Sequence, residues 1–345
     1  IDGVSLPVTN SYGGRGSFLA KFNCHGDLLW HKGIKRGNWD CDANWLKIKN
    51  DTIYVLGDYC FSFSEDTYLF DTMYYHNQHN YPYSHGYIPG QQYTYFAKFD
   101  LSGNMHDINL LQSEDWKRFY WAEIVPFNID SYNNKYLLGL YRGDWGNDRK
   151  YPYYLDSIQI TDSIEFPFTY NALLFKFSSG FDLKWHKPLI DSLSYGCTNN
   201  WIEFNDALID ENDNMYYVGE AKLQWDSITQ TADPPGSIYF KDGHELEFEY
   251  HGNRLGFIMK IDTSGTIQWV NQMHRFDTSD IQGNYSVFKS IDINEDDGIL
   301  YVSGTGQAKN SSFENMWSIF PNDSIFIAPC YTCGGGSQNS SYIIA

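Results

Sequence analysis

The sequence predicts an all-β protein made of repeated four-stranded antiparallel units of about 80 residues, and three observations carry that expectation. One pattern occurs four times: Ala20-Lys21-Phe22-Asn23-Cys24-His25-Gly26-Asp27-Leu28-Leu29-Trp30, then Ala97-Lys98-Phe99-Asp100-Leu101-Ser102-Gly103-Asn104-Met105, then 175–185 and 259–269. Its lysines, Lys21, Lys98, Lys176 and Lys260, stand 77, 78 and 84 residues apart. A second pattern alternates with the first and closes on Gly57, Gly139, Gly219 and Gly304, spaced 82, 80 and 85 residues. Aromatic residues make up 18% of the chain and long Ala/Leu/Glu/Lys segments are scarce, which favours strands over helices.

The elements follow in order. Residues 1–16, with Gly3, Pro7, Gly13, Gly14 and Gly16, read as a loop into the first lysine pattern. That pattern is an apolar run, a turn of the form Asp-x-Ser-Gly and a second alternating run ending in tryptophan, which is a β-hairpin. Glycine is expected to supply the positive φ of the turn, and Asp or Asn to bond its own backbone two residues on. The second pattern, first seen from Trp45 to Gly57, is another hairpin with an Asx-rich turn, repeated at 124–139, 202–219 and 288–304. Long inserts follow each closing glycine, at Tyr68–Gln92, Tyr141–Tyr170, Leu223–Asn253 and Gln307–Ser340. All four connect the same two hairpins, so they emerge at one side of the repeat.

Hairpin, insert and hairpin make one four-stranded blade, and a ring of blades, a β-propeller, is the expected architecture. Two-stranded solenoid coils need periods of roughly 20–30 residues and do not fit. The expectation is one repeat domain over 1–345, in phase segments 1–57, 58–139, 140–219, 220–304 and a partial 305–345. The phase opens on third and fourth strands and stops inside another third strand, which leads to the expectation that this chain is part of a longer protein.

A net charge of −19 argues against phosphate-backbone partners, which need clustered Lys and Arg, so nucleic acid is not expected. No run approaches the ~20 apolar residues of a membrane helix. The six cysteines are compatible with an oxidising compartment. Cys41 precedes one strand of a hairpin and Cys60 follows the other, so antiparallel pairing brings them near each other as a candidate bridge. Cys330 and Cys333 have half-site spacing without a second pair, and read as a loop-stapling disulfide or free thiols rather than a zinc site.

His76, His79 and His85, with Asp71, give His-x-x-His spacing in an aromatic loop, but polar loop histidines are commoner than metal sites. Asp292, Asn294, Asp296 and Asp297 place oxygens at alternate positions as calcium loops do, and calcium is the one cofactor the sequence admits. Asx-turn chemistry explains the same residues without a cation. His31 and His186 follow in-phase tryptophans and belong to the repeat. Trp30, Trp185 and Trp269 recur in phase, which points to packing within the core. No nucleophile elbow, Walker loop or nucleotide fingerprint occurs, so no catalytic residues are assigned and the expectation leans away from an enzyme.

The copies Lys-Phe-Asp-x-Ser-Gly-x-Leu-x-Trp and the paired Asp…Asn-x-Tyr-Val-x-Gly resemble β-propeller repeats of secreted Bacteroidota proteins, over nearly the whole chain. The resemblance implies export by a type IX secretion system, an extracellular or cell-surface location, and outer-membrane or secretion-system components as partners. The C-terminal sorting domain of that group is absent from this sequence. The triplet Asp-Ser/Thr-aliphatic is similar to the O-glycosylation signal of the phylum, and implies loop glycans at Thr72, Ser157, Ser163, Ser192, Ser227 and Ser324; Thr52 is instead expected in a β-ladder. Taken together, the expected function is a surface binding, adhesion or structural protein. Its rigid repeats present aromatic loops to a glycan or protein, through Tyr74, Tyr75, His76, His79, Tyr81, Tyr83, Trp145, Tyr151, Tyr153 and Tyr154. The alternative is a glycoside-active or other hydrolase with two carboxylates facing each other around an axis.

Overall fold

The computed structural model describes residues 17–33, 42–60, 67–69, 72–74, 92–113, 126–142, 150–151, 153–155, 158–159, 164–165, 170–193, 197–225, 236–248, 254–275, 285–296, 298–308, 317–318 and 338–344. These are strands and tight turns, with no α-helix among the described residues. The chain forms two compact units, one of residues 1–124 and 148–165, the other of 125–147 and 166–345.

In the first unit, Phe18–Phe22 and Leu28–Gly33 pair as an antiparallel hairpin. The strands Asp42–Lys49, Thr52–Cys60, Gln92–Asp100 and Met105–Ser113 then lie side by side in chain order, all antiparallel. Tyr153–Leu155 adds to the outer edge of this sheet and Ile158–Gln159 adds to that. In the second unit the same meander occurs twice. Asn128–Ile129, Lys135–Arg142, Tyr170–Phe177 and Leu183–Pro188 form one sheet. Cys197–Ile209, Met215–Trp225, Arg254–Ile261 and Ile267–Gln272 form the next. Tyr285–Asn294, Ile299–Ala308 and Gln338–Ile344 repeat the first three strands, and join the preceding sheet through one parallel pair, Arg254 with Tyr285. The four-stranded antiparallel repeat expected from the sequence is therefore present, with the inserts between its second and third strands.

Both kinds of hairpin use one five-residue turn. In Asp100–Asn104 the Asp100 carboxylate accepts the backbone N–H of Ser102 (2.8 Å) and of Asn104 (2.9 Å), while Gly103 holds φ at +85°. Asp130–Asn134 and Asp210–Asn214 repeat that bonding with Asn133 and Asp213 at +62°. The third lysine turn departs from expectation: its Gly180 comes one residue early, and Phe181, not glycine, takes the left-handed position at φ +72°. Phe181 is held there by burial and by the Lys135 ammonium over its ring, 5.4 Å from the centroid. The first Asx hairpin differs too. Asn50 and Asp51 both have positive φ, the two-residue turn that matches strand twist.

The core of the second unit runs through both full sheets, from Tyr136, Leu138 and Leu174 to Tyr217, Phe257 and Ile261. It includes part of an insert. Ile238, Phe240, Leu246 and Phe248, from the hairpin Gly236–Phe240/Glu245–Phe248, are buried in that cluster. This third insert is fastened at three further points: Asp242 accepts the Ile267 N–H (3.0 Å), Gln272 bonds the Glu247 backbone both ways, and Ile190–Leu193 pairs with Gly236–Phe240. The expectation that inserts are displayed loops is corrected for this one, because its alternating apolar residues close over the sheet edge.

Candidate functional site

In the first and third copies the recurring lysine and tryptophan hold neighbouring repeats together. In the first unit Lys21 Nζ donates to the Leu101 carbonyl (2.9 Å) and Trp30 Nε1 donates to the same oxygen (3.1 Å). The Trp30 ring lies so close to Gly103 that a Cβ there would come within 2.9 Å of it. In the second unit Lys176 Nζ reaches the Thr263 carbonyl (3.3 Å) and the Trp185 ring covers Gly265, where a Cβ would meet it at 2.6 Å. Glycine in this turn thus serves twice, for its φ and for the indole above it. Trp269 stands at the same register, opposite Lys260 as Trp185 stands opposite Lys176. All three tryptophans are partly buried against core clusters, as expected for packing positions, though less completely enclosed than expected. The second copy has no tryptophan; Asp107 stands opposite Lys98 and pairs with it at 3.0 Å.

The Asx turns are tied down equally. Asp130 accepts Tyr136 OH (3.1 Å) and Asn134 Nδ2 (2.7 Å), with Lys176 Nζ at 3.8 Å and over the Tyr136 ring. Asp210, Tyr216 and Lys260 repeat the arrangement. Burial and the Asp130 charge push the Tyr136 hydroxyl far above its ordinary value, so it stays a proton donor. Ser131 reaches across to the Asp213 carboxylate of the following repeat, at 2.7 and 2.6 Å. Hydrogen bonds from the Asn104 side chain and backbone and from Ser102 hold the Asp100 carboxyl below its usual range. A depressed folded value means stabilisation that is present above the ordinary carboxylate range and lost as acid is added through the folded value. An NMR titration is expected to show Asp100 titrating below its ordinary value, and Asn104→Ala is expected to move it upward.

Sequence reasoning missed one cluster. Glu203 and Glu220 are direct cross-strand partners, just beyond the closing Gly219. Glu220 is 2% exposed. Its Oε2 lies 3.3 Å from Arg254 Nη1 and its Oε1 lies 3.8 Å from Lys289 Nζ, on the next hairpin. Burial, then hydrogen bonding with Glu203, pushes the Glu220 carboxyl up to about 7, against the opposing pull of Arg254 and Lys289. Asp42 and Asp58 hold the same register positions in the first unit. The signal was legible as an acidic residue after Gly57 and after Gly219, but only the strand register shows that each is paired with a second acidic residue.

Tyr75, His76, His79, Tyr81, Tyr83, Trp145, Ser157, Ser163, Ser227, Ser324, Asp297, Cys41, Cys330 and Cys333 lie outside the described residues. Tyr74, Tyr151, Tyr153, Tyr154 and Cys60 are placed on strands by their backbone alone. Thr72 and Ser192 were expected in loops; both stand in short strands, Thr72 paired with Leu69 and Ser192 with Tyr239. Thr52 is in a ladder between Lys49 and Asp100, as expected. At the calcium candidate, Asn294 Oδ1 accepts the Asp296 N–H and Asp292 Oδ1 accepts the Ile293 N–H. No group of three or more His, Cys, Asp or Glu side chains gathers among the described residues. His31 and His186 occupy matching positions opposite Ala20 and Phe175, with buried Nδ1 atoms that have no hydrogen-bond partner, and burial shifts the His186 imidazole below its ordinary value. Cys24 is a free, exposed thiol. No protein-family model matches the chain and no curated protein matches it.

Proposed function

We propose that this is a secreted or cell-surface propeller whose repeating hairpins are scaffold and whose first two inserts present aromatic side chains to a glycan or protein partner. One observation carries the reading. In two of the copies the recurring lysine and tryptophan engage the turn carbonyl and glycine of the neighbouring repeat, in Lys21–Leu101, Trp30–Gly103, Lys176–Thr263 and Trp185–Gly265, and the recurring aspartates brace their own turns. What recurs is thus structural, and recognition falls to what differs between repeats, the inserts. The four-stranded meanders, with side chains bridging repeats 80 to 87 residues apart, support blades stacked side by side. Export by a type IX system and glycans on loop serines rest on the resemblance of the repeats.

Replacement of residues 75–83 by a short Gly/Ser connection, and separately serine substitution of Trp145, Tyr151, Tyr153 and Tyr154, which keeps the backbone pairing of Tyr153–Leu155, tests this, since loop closure depends weakly on length. Retention on glycan arrays or cell surfaces is expected to fall while the melting temperature holds to within a few degrees. Replacement of the third-insert hairpin, residues 236–248, is expected to collapse the melting temperature because it removes Ile238, Phe240, Leu246 and Phe248 from the core. Unchanged retention in both loop variants would place recognition elsewhere and remove the proposal.

A further inference from the structure

The junction between the third sheet and the hairpin Tyr285–Asn294/Ile299–Ala308 is made in an unusual way. Among the described residues its strand pairing is the one parallel pair Arg254–Tyr285, and side chains add to it. Asn205 Nδ2 donates to the Phe288 carbonyl (2.7 Å), and the Asp206 carboxylate accepts Ser290 Oγ (2.7 Å) and the Ile291 N–H (3.1 Å). The buried Phe288 ring lies on Gly256, where a Cβ would meet it at 3.3 Å, and Gly256 is the strand partner of Glu220. The hairpin therefore roofs the Glu203–Glu220 pair.

We propose that this pair is a proton-operated latch: it fastens the hairpin of residues 285–308 to the preceding sheet while it holds a proton, and loosens that hairpin when the proton leaves. Glu203 opposes Glu220 from the neighbouring strand, and Asp206 adds a second negative charge further along that strand. Arg254 approaches from the other side, Lys289 from the roof, and Lys222 stands two residues on along the same strand. With a proton between them the carboxyls form a hydrogen-bonded pair. Without it, two like charges face each other across the strand pair, one of them on the buried Glu220, which cross-strand pairing disfavours. Arg254 and Lys289 compensate weakly, because both side chains are about half exposed and screened. Opening the roof admits water to the pair and relieves the repulsion.

The linkage has a definite sign. Glu220 binds its proton more tightly in the closed state, so closure is fully supported in acid and is lost as pH rises toward about 7. Hydrogen exchange of the intact chain, with rates corrected for intrinsic base catalysis, reads the opening directly. For amides of residues 287–293 the opening constant is expected to rise about tenfold per pH unit from about pH 5, and to level off above neutrality. Glu220→Gln is expected to abolish the slope. Glu203→Gln, at a less buried position, is expected to shift the rise to lower pH and shrink it. A flat profile in the unaltered protein, or the same slope in Glu220→Gln, would overturn the proposal. If Glu220→Gln does not fold, a full, unshifted slope in Glu203→Gln overturns it equally.

Discussion

Alanine in place of Gly219 is expected to lower the melting temperature of the second unit by about 6–12 °C. The cause is a close approach rather than a dihedral. A Cβ at this position would lie 2.0 Å from the Glu203 carbonyl oxygen, a backbone atom that cannot rotate away. The pressure comes from the facing strand, whose register shifts between Phe204 and Asp206 and pushes the Glu203 carbonyl toward Gly219. Forcing backbone apart in a packed sheet costs about 3 kcal/mol, and each kcal/mol moves a unit of this size by roughly 2–4 °C. Gly26→Ala is the comparison. It has open space around it and a φ of +88°, so it carries only the left-handed penalty, about 1–2 kcal/mol. Calorimetry showing equal losses for the two would mean that the bulge does not press on Gly219.

The second large effect is expected at Asp210. Its carboxylate, 8% exposed, accepts the backbone N–H groups of Asn212 and Asn214, the Asn214 side chain and the Tyr216 hydroxyl. Asp210→Ala leaves those donors facing a gap that water reaches poorly, and is expected to cost about 3 kcal/mol in urea unfolding. Asp100 makes the same bonds to its own turn but has no tyrosine partner and stands at the surface, so Asp100→Ala is expected to cost far less. Equal costs would show that the turn bonds, and not the buried tyrosine link, carry the stability.

Much of the fold was legible because it repeats. The periods of the lysine and glycine patterns identify the four strands of each unit and their order, since short turns allow only antiparallel neighbours. Residues whose role depends on a neighbouring repeat were less legible. Lys21 and Lys176 read as strand positions, and nothing local shows that each reaches a carbonyl some eighty residues away. Glu203 and Glu220 were missed because a one-residue bulge at Phe204/Asp206 sets which carboxyl faces which, and a bulge leaves no mark in composition. The third insert was misread for a different reason. Its hairpin alternates Ile238, Phe240, Leu246 and Phe248 toward one face, a pattern present in the sequence but hidden inside what looked like a long variable loop.

The contacts between repeats also have a direction. Within each unit the earlier repeat supplies a plug, the lysine and the tryptophan, and the later one supplies a socket, the turn carbonyl and the glycine beneath the indole. Trp185 and Lys176 are a plug on the same hairpin whose turn occupies the socket's place in its own repeat. The two engaged hairpins are nevertheless not interchangeable: the turn beside the Trp185 plug holds Phe181 where a socket needs glycine, and the Gly103 socket belongs to a hairpin whose lysine faces Asp107 instead of a tryptophan, so each copy is committed to its place in the order of repeats.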